Sequence, residues 1–292
     1  MTSSNATFSV DRYAVLGNPV AHSRSPFIHA HFAQQTGQAV DYGRVQCPLD
    51  GFAHAVRHFA EQGGRGCNVT VPFKFEAPAL AAHCTSRARL AGAANVLRLD
   101  GDTSPAGWWA DNTDGVGLVR DIVGGAQVPL AGLRVLLVGA GGAGAGVLGP
   151  LLEAGPAAVV LANRTLDKAQ QLVQRHAALA CEHGVTLTAS GLLDPGHAFD
   201  VFINASASSL QGAASPPVPV QVLKRGALAM DLMYGPPVEP FMAWARAAGA
   251  VPRDGLGMLV EQAAEAFFFW RGVRPQTAPV LAALRAEMAA GR

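Results

Sequence analysis

LRVLLVGAGGAGAGVLGPLLE, residues 133–153, is the stretch that decides how this chain folds. An apolar run from Val135 to Val138 leads into a cluster of glycines and then into residues that can continue as a helix. The pattern therefore predicts a strand, a tight turn and a helix. Glycines in such a turn let a pyrophosphate approach the backbone, while the N–H groups at the start of the helix face its negative charge. The stretch is typical of a dinucleotide site.

Two simpler interpretations of the glycine-rich stretch compete with this one. The 18 residues from Val135 to Leu152 carry no charge, and that length is about the minimum for a membrane span. However, six of them are glycine and one is Pro150, and each glycine inside a helix costs about 1 kcal/mol relative to alanine. The other interpretation is an ordinary glycine-rich loop. A second strand predicted at 157–162 follows at the spacing of a βαβ unit, which favours the dinucleotide site.

The composition places broad limits on fold and partners. The chain has 292 residues, of which 50% are hydrophobic and 15% charged, and its formal net charge is +1. This length favours two domains. Because the lysines and arginines are scattered, we expect neither a nucleic-acid partner nor a membrane-surface partner. The first 12 residues have no basic start and no apolar run, so we expect no secretory signal and a cytoplasmic protein.

The cysteines and paired histidines give no indication of a metal site. The four cysteines show no C-x-x-C and no zinc-type pairing, which is typical of reduced thiols in a cytosolic protein. His54 and His58 lie four residues apart on a predicted helix, a spacing compatible with a metal. No third ligand accompanies them, and zinc needs at least three protein ligands. We therefore expect no metal.

Polar residues cluster at two points early in the chain. Ser23 and Ser25 are two residues apart, so in an extended segment they point the same way, and Ser25 followed by Pro26 predicts a helix cap and first position. In the β-type run 67–72, alternation places Asn68 and Thr70 on one face. The residues after it are predicted to form a helix that carries Lys74. The alternative for Ser25 is a simple helix cap. The alternative for the later residues is a half-exposed strand followed by a solvated lysine.

A third polar cluster follows a predicted hairpin-like excursion of strands 94–99 and 108–110. Asn95 lies inside the first strand, where a buried amide needs a partner. The segment DNTDG, residues 111–115, then precedes a helix predicted to end near Val123. These residues also suit an ordinary Asx turn and helix cap, so spacing alone leaves both interpretations open.

The second half alternates strands with helices. Strands predicted at 157–162, 185–189, 201–205 and 227–232 indicate an open, mostly parallel sheet. The first of these ends in Asn163-Arg164-Thr165, without the acidic residue that binds the ribose of NAD, and an Arg at this point accommodates the 2′-phosphate of NADP. The alternative is a helix cap with solvated basic residues. Two final helices are predicted at 259–270, which carries Gln262, and at 275–289.

Six motifs in this order and spacing resemble the shikimate dehydrogenase family. They are GNPVAHSRSP, NVTVPFK, DNTDG, GAGGAG, NRT and DGLGML, and the similarity extends from Tyr13 to about Val280. The resemblance implies an α/β fold in which residues 1–113, completed by the C-terminal helices 255–292, form a mixed α/β substrate domain. Residues 114–254 would form a Rossmann-like, doubly wound NADP-binding domain, with a cleft between the two.

The same resemblance implies roles for individual residues. Lys74 and Asp114 match the catalytic pair, and Ser23 and Ser25 match the residues that bind the substrate carboxylate. The other substrate positions are Asn68, Thr70, Asn95, Tyr234 and Gln262, with Lys74 and Asp114 also contacting substrate. The cofactor positions are Gly139, Ala140, Gly141, Gly142, Ala143, Asn163, Arg164, Thr165, Lys168, Asn204, Ser206, Gly255 and Met258.

The implied activity is the reversible NADPH-dependent reduction of 3-dehydroshikimate to shikimate, a step of chorismate and aromatic amino acid biosynthesis. Reduction of the ketone leaves an alkoxide, which needs a proton and nearby positive charge, and Lys74 can supply both. The partner is a small-molecule substrate, with no nucleic acid and no membrane, and the protein is expected as a monomer or homodimer.

Two departures and two rival functions accompany the resemblance. Gly144-Ala145 replaces the Ser-Arg of many relatives and Lys168 stands where Arg is common, so NADP affinity is expected to be modest. A quinate/shikimate dehydrogenase would alter the second serine or the basic residues, which Ser25 and Arg164 disfavour. A non-catalytic NADP-binding paralogue should lack Lys74 or Asp114, and both are present.

Overall fold

The computed structural model describes residues 10–100, 102–206 and 218–290, which contain two six-stranded sheets. The strands of the first sheet lie in the order β2-β1-β3-β5-β6-β4. β2, β1 and β3 are parallel, whereas β5 is antiparallel to both β3 and β6. These strands are β1 Asp11–Gly17, β2 Val40–Gln46, β3 Gly64–Val69, β4 His83–Cys84, β5 Val96–Arg98 and β6 Trp109–Asp111.

The second sheet is wholly parallel, in the order β12-β11-β10-β7-β8-β9. Its chain order reverses between β7 and β10, which is the arrangement of a doubly wound dinucleotide-binding fold. The strands are β7 Arg134–Val138, β8 Ala158–Ala162, β9 Thr186–Ser190, β10 Phe199–Asn204, β11 Leu223–Asp231 and β12 Val251–Arg253.

Helices cover both sheets. Those in the described residues are α1 Ser25–Thr36, α2 Phe52–Glu61, α3 Ser86–Ala91, α4 Asp114–Arg120, α5 Gly142–Glu153, α6 Leu166–Glu182, α7 Glu239–Ala247, α8 Leu256–Arg271 and α9 Thr277–Ala290. A π-helical turn, Asp121–Gly125, extends α4. Among these described elements no helix combines the length and apolar composition needed to cross a bilayer.

The apolar side chains of β7 alternate between the two faces of the second sheet, which explains why helices cover both faces. Val135 and Leu137 join an apolar cluster that includes residues of α4, α5 and α6. Leu136 and Val138 point the other way, into a cluster that includes residues of α7. Because each fully buried Val or Leu contributes about 1.5 to 3 kcal/mol, a strand that is apolar on both faces is stable only with helices on each side.

The last two helices, α8 and α9, pack against the first helix, α1. Ile28 and Phe32 of α1 lie in one apolar cluster with Val260 and Phe267 of α8 and Leu284 of α9. α8 also packs along α4. α8 and α9 therefore pack against α1, and α8 also contacts α4, the helix that lies between the two sheets in the chain.

Several local predictions were wrong. Ser25 is the first residue of α1 rather than its cap: Arg24 is the N-cap, no side chain in the described residues caps the helix, and the hydroxyl of Ser23 donates to that of Ser25. The helix predicted after Pro72 is a pair of 3₁₀ turns, Phe73–Phe75 and Ala77–Leu80, since Pro78 has no N–H to continue an α-helix.

The predictions also left elements out or misplaced their ends. α8 begins at Leu256, earlier than the predicted 259. α7 was missed because its region is rich in proline, although a proline such as Pro240 is tolerated in the first turn of a helix. β12 has three residues, which is too short to produce an alternating pattern.

Candidate active site

Lys74 and Asp114 are in direct contact. Lys74 lies on the 3₁₀ turn after β3, and Asp114 is the first residue of α4. The Nζ atom of Lys74 is 2.6 Å from Oδ2 of Asp114, and only 15% and 6% of the two side chains are exposed. The positive end of the α4 dipole favours a carboxylate at this position. A shielded amine and carboxylate in contact can exchange a proton with a ligand beside them.

Asn95 connects Asp114 to the C-terminal helices. Its Nδ2 donates to Oδ1 of Asp114 at 2.9 Å, to Oε1 of Gln262 at 3.0 Å and to Oγ1 of Thr113 at 2.9 Å. Its Oδ1 accepts from the backbone N–H of Thr113 at 2.8 Å. Because the amide has only two hydrogens for three acceptors, these hydrogen bonds compete with one another, and a hydroxyl-bearing ligand can replace one of them.

Asn68 extends this polar group towards β2. The hydroxyl of Tyr42 donates to its Oδ1 at 2.6 Å, and its Nδ2 donates to the carbonyl of Asn95 at 3.3 Å. Burial raises the pKa of Tyr42 well above its usual value of 10.0, which keeps the phenol protonated. Thr70 follows the end of β3, where its backbone N–H bonds to the carbonyl of Leu16 at 2.9 Å. Asn68, near the end of β3, and Thr70 and Lys74, which follow it, therefore lie at the carboxyl end of the same strand.

The two serines and Tyr234 form another wall. The hydroxyl of Ser23 donates to that of Ser25 at 3.1 Å, and the backbone N–H of Ser25 points at the Ser23 oxygen at 3.3 Å. Burial raises the pKa of Tyr234, while the nearby backbone and positive charge of Arg24 act in the opposite direction. Tyr234 therefore lies close to the serine loop. Arg44 fixes the same loop through the carbonyl of Ser23.

The glycine turn lies at the carboxyl end of β7. Gly139 has φ +110°, and a Cβ atom there would come within 2.9 Å of the backbone of Ala205. The backbone N–H of Ala140 donates to Oδ1 of Asn163 at 3.1 Å, and Nδ2 of Asn163 donates to the carbonyl of Thr165 at 2.8 Å. Asn163 thus fastens the glycine turn to the loop after β8. The turn continues through Gly141 into α5, which begins at Gly142 and Ala143.

The glycine turn lies directly against the acid–base pair. A Cβ atom on Gly142 would be 3.1 Å from Cβ of Lys74. The start of α5, with its positive dipole end and unpaired N–H groups, therefore lies next to the turn that carries the amine. This contact joins the polar group of the first sheet to the nucleotide edge of the second.

Further polar residues lie along the same edge of the second sheet. Asn204 ends β10, and its Nδ2 donates to Oδ2 of Asp231 at 2.7 Å. The hydroxyl of Ser206 donates to Oδ1 of Asn204 at 2.7 Å. After β8, Arg164, Thr165 and Lys168 are exposed, so their side chains are accessible to a phosphate.

The start of α8 contributes Gly255, Met258 and Gln262. Gly255 bonds to the carbonyl of Met233 at 2.8 Å, and a Cβ atom there would come within 2.2 Å of the carbonyl oxygen of Leu232. Met258 is 7% exposed and lies in the apolar cluster of the second sheet. Gln262, on the next turn, belongs to the Asn95 group. α8 therefore borders both sheets.

Comparison with known proteins assigns this chain to one family. Residues 15–97 match the shikimate dehydrogenase substrate binding domain, residues 121–218 match shikimate/quinate 5-dehydrogenase, and residues 255–285 match the shikimate 5′-dehydrogenase C-terminal domain. The chain is 64% identical to shikimate dehydrogenase (NADP+) of Methylibium petroleiphilum over 94% of each chain. The chain belongs to the shikimate dehydrogenase (NADP+) family.

Two further relatives agree with this assignment. Shikimate dehydrogenase (NADP+) of an Acidovorax species is 60% identical over 98% of this chain and 99% of its own. Among solved structures, shikimate 5-dehydrogenase from Thermus thermophilus in complex with NADP(H) and shikimate is 33% identical, with a TM-score of 0.77. The match covers 94% of this chain and 99% of that chain. The predicted family and α/β fold are confirmed.

The structure brings half of the expected site residues into two adjoining groups. Lys74, Asp114, Asn95, Asn68 and Gln262 are linked by hydrogen bonds. The glycine turn and Asn163 form the second group. Arg164 and Lys168 are exposed and lie outside both groups, Thr165 joins the second group only through its backbone carbonyl, and Met258 is mainly a core residue.

The sequence interpretation missed three residues that form hydrogen bonds with the candidate site residues. Thr113 was visible within the DNTDG motif, but its bonds to Asn95 depend on the fold. Tyr42 and Arg44 lie two apart on a correctly predicted strand, so they share a face. Their partners, Asn68 and Ser23, are more than 20 residues away in the chain, and no local pattern could reveal these contacts.

Proposed function

We propose that this chain catalyses the reversible NADPH-dependent reduction of 3-dehydroshikimate to shikimate in chorismate and aromatic amino acid biosynthesis. The observation that carries the proposal is the Lys74–Asp114 pair, 2.6 Å apart, with the glycine turn at Gly142 on one side and the Asn95 group on the other. The names of the family members and the shikimate and NADP(H) complex of a relative support it.

The residues assigned to the substrate suit a small acid with several hydroxyls. We assign the carboxylate to Ser23 and Ser25, with Tyr234 beside them, because two hydroxyls in contact can both donate to one carboxylate. The ring hydroxyls would bond to the side chains of Asn68, Thr70, Asn95, Asp114 and Gln262. Such a site discriminates strongly against analogues that lack a hydroxyl, since its buried polar groups would then be left unpaired.

The glycine turn and its neighbours suit NADP. Gly139, Ala140, Gly141, Gly142 and Ala143 would hold the pyrophosphate, and a side chain at Gly139 would collide with the backbone. Asn163, Asn204, Ser206, Gly255 and Met258 would line the rest of the cofactor site. Arg164, Thr165 and Lys168 would bind the 2′-phosphate, where their exposed side chains are accessible. When bound, NADPH supplies the hydride.

Lys74 would act on the substrate oxygen. Its ammonium group donates a proton to the oxygen that becomes the hydroxyl of shikimate, and in the reverse direction the neutral amine accepts it. Asp114 holds the amine through Oδ2, while Asn95 holds Oδ1 of the same carboxylate. This second bond fixes the orientation of Asp114, and the low exposure of both side chains limits competition from water.

We further propose the division of labour between the two sheets. Residues 1–113 together with 255–292 would bind substrate, because α8 and α9 pack against α1 of the first part. Residues 114–254 would bind NADP around the parallel sheet. The cleft between them would run along the contact of Gly142 with Lys74.

The protein is proposed to work in the cytoplasm as a monomer or homodimer, with a small molecule as its substrate. Its cysteines Cys47, Cys67, Cys84 and Cys181 are all free, which suits a reducing compartment. Light scattering after size-exclusion chromatography would determine the oligomeric state, and fractionation of cells would test the location.

Steady-state oxidation of shikimate and quinate, each with NADP and with NAD, tests the proposed reaction. We expect the highest kcat/KM with shikimate and NADP. Comparable rates with quinate would support the rival quinate/shikimate dehydrogenase. Absence of turnover with all four pairs, despite NADPH binding by fluorescence, would instead support a non-catalytic NADP-binding protein.

A further inference from the structure

The face of β2 that carries Tyr42 also presents a guanidinium group to the serine loop. Tyr42 and Arg44 are two residues apart, so their side chains leave the strand on the same side. Tyr42 bonds to Asn68. Arg44 donates from Nε and Nη2 to the carbonyl oxygen of Ser23, at 3.1 and 2.6 Å. One edge strand thus contacts both the hydroxyl-binding and the carboxylate-binding parts of the proposed site.

We propose that Arg44 is a positioning and charge-providing residue for the substrate carboxylate. It holds the serine loop through the carbonyl of Ser23 and adds a positive charge beside the two hydroxyls. This inference rests on the proposed function, because it needs a substrate whose carboxylate binds at Ser23 and Ser25.

The charge of Arg44 is not neutralised by the groups it contacts. Arg24, in the same loop, forms an ion pair with Glu287 at 3.1 Å. Arg44 bonds to a neutral carbonyl, and among the described residues no carboxylate lies within ion-pair distance of it. Its positive charge is therefore available to an incoming anion, and it acts most strongly at low ionic strength.

The influence of Arg44 extends to both tyrosines of the pocket. Burial raises the pKa of Tyr42 and of Tyr234, and in each case the positive charge of Arg44 opposes that rise. Tyr42 is itself held in place by the ring of His29, which stacks on it with centroids 4.2 Å apart. Because burial lowers the pKa of His29 to about 3, that ring is neutral and does not compete with Arg44 for the anion.

A charge that acts on the carboxylate alone should affect substrate binding rather than the chemical step. Interactions that are equal in ground and transition states change KM and leave kcat unaltered. The substrate oxygen that reacts would lie at Lys74, which is on a different turn of the fold. Loss of Arg44 should therefore raise KM for shikimate without lowering kcat or changing KM for NADP.

The test compares Arg44→Gln and Arg44→Lys with Arg12→Gln as a matched control. Arg12 also donates to a backbone carbonyl, that of Gln62 at 2.9 Å, but it lies at the amino end of β1. Each protein is assayed with shikimate and with its uncharged methyl ester, as substrate or competitive inhibitor, at low and high KCl. Wild-type turnover of shikimate in the same experiment checks the proposed function separately.

We expect Arg44→Gln to raise KM for shikimate up to about fivefold, the effect of one charge on an exposed side chain, with kcat changed less than about twofold. The methyl ester should lose less affinity than shikimate in Arg44→Gln, because the ester loses only the positioning of the serine loop and not the charge interaction. The salt dependence of kcat/KM should weaken in Arg44→Gln and persist in Arg44→Lys and Arg12→Gln.

Equal losses for the acid and the ester would overturn the proposal, because they would show a structural effect on the loop alone. A fall in kcat at unchanged KM would also overturn it. If Arg44→Gln fails to fold, Arg44→Lys and the salt dependence of the wild type still decide: a wild-type KM for shikimate that is insensitive to KCl would contradict the charge role.

Discussion

Individual side chains of the proposed site are hydrogen-bonded to one another before any ligand binds. Asn95 shares two hydrogens among three acceptors, and Tyr42 satisfies Asn68. A ligand hydroxyl must therefore exchange these bonds for new ones, and only a molecule that satisfies them all avoids leaving a buried group unpaired. This arrangement favours selectivity for a substrate with hydroxyls at fixed positions.

Replacing Lys74 should remove the chemical step. We expect Lys74→Ala to lower kcat about 10²- to 10⁴-fold, the usual contribution of a general acid–base residue, while shikimate still binds through the serines and amides. Steady-state kinetics and a binding isotherm for shikimate would measure the two effects separately. Near-native turnover with normal binding would show that another group moves the proton.

Lys224 offers a control with the same pairing and a different location. Its Nζ lies 2.6 Å from Oδ1 of Asp200, as in the Lys74–Asp114 pair, but 47% of its side chain is exposed. Because exposed ion pairs contribute about 1 kcal/mol or less, Lys224→Ala should leave kcat unchanged. A loss equal to that of Lys74→Ala would indicate a general effect on stability.

Arg164 should determine the choice between NADP and NAD. It is exposed beside the glycine turn, and Lys168 binds phosphate without the bidentate geometry of a guanidinium. We expect Arg164→Ala to raise KM for NADP about tenfold or more, as loss of a charge-assisted bond predicts, with KM for NAD almost unchanged. Arg57→Ala, which removes an exposed arginine of α2, is the control. A parallel loss with both cofactors would contradict a role in 2′-phosphate binding.

At the scale of elements, the sequence predicted the bounds of strands best where the strand is a continuous apolar run. β7 and β8 were predicted almost to the residue, because short charge-free runs ended at turn residues. The turn that carries Lys74 was predicted as a helix but is a 3₁₀ turn. Pro78 has no N–H to donate the hydrogen bond that would continue an α-helix, and the hydrophobic pattern does not reveal this. Pairings such as Asn95 with Gln262 lie 167 residues apart, so local patterns contain no information about them.

The contact of α4 with α8 depends on glycine. A Cβ atom on Gly117 would lie 2.6 Å from the backbone nitrogen of Gln262 and 2.9 Å from its Cα. Gly117→Ala must therefore move α8 away from α4, at a cost of about 1 to 3 kcal/mol. Because Gln262 moves with the helix, we expect KM for shikimate to rise as well. Urea unfolding and steady-state kinetics would measure the two changes.

Gly124 gives the matched control for that substitution. It lies in the π-helical turn after α4, and a Cβ atom there would meet no other atom within 4 Å. Gly124→Ala should leave KM unaltered and stabilise the protein by at most about 1 kcal/mol, since alanine restricts the unfolded chain. If Gly117→Ala behaved like Gly124→Ala, close helix packing would not position Gln262.

At the scale of the whole molecule, a charge cluster joins segments that are distant in sequence. Glu265 of α8 pairs with Arg87 of α3 at 3.2 Å, with Arg120 of α4 at 2.8 Å and with Arg274 after α8 at 2.7 Å. Arg87 also pairs with Asp111 at 2.5 Å. The carboxylate lies one turn beyond Gln262, and Asp111 lies three residues before Asp114. The cluster therefore supports both elements that carry the Asn95 group.

The charge cluster should make stability depend on pH through Glu265. Burial opposes ionisation of this carboxyl, but hydrogen bonds from Arg274 and Arg120 outweigh it, so its pKa lies below the ordinary value of 4.5. A depressed folded-state pKa stabilises the protein above the unfolded value, and this stability is lost as pH falls through the folded value. We expect Glu265→Gln to lower the free energy of unfolding at neutral pH by about 2 to 3 kcal/mol, somewhat less than for a fully buried pair.

The difference between wild type and Glu265→Gln should shrink as the solution becomes more acidic than the ordinary glutamate pKa, because the wild-type carboxyl then takes up a proton. Urea unfolding at a series of pH values would follow this narrowing. Glu61→Gln is the control, since the Glu61 side chain is 64% exposed and pairs with the exposed His58, and its effect should be negligible at every pH. If the free energy of unfolding of Glu265→Gln stayed below that of wild type by the same amount into the acid range, packing rather than the carboxylate charge would hold α3, α4 and α8 together.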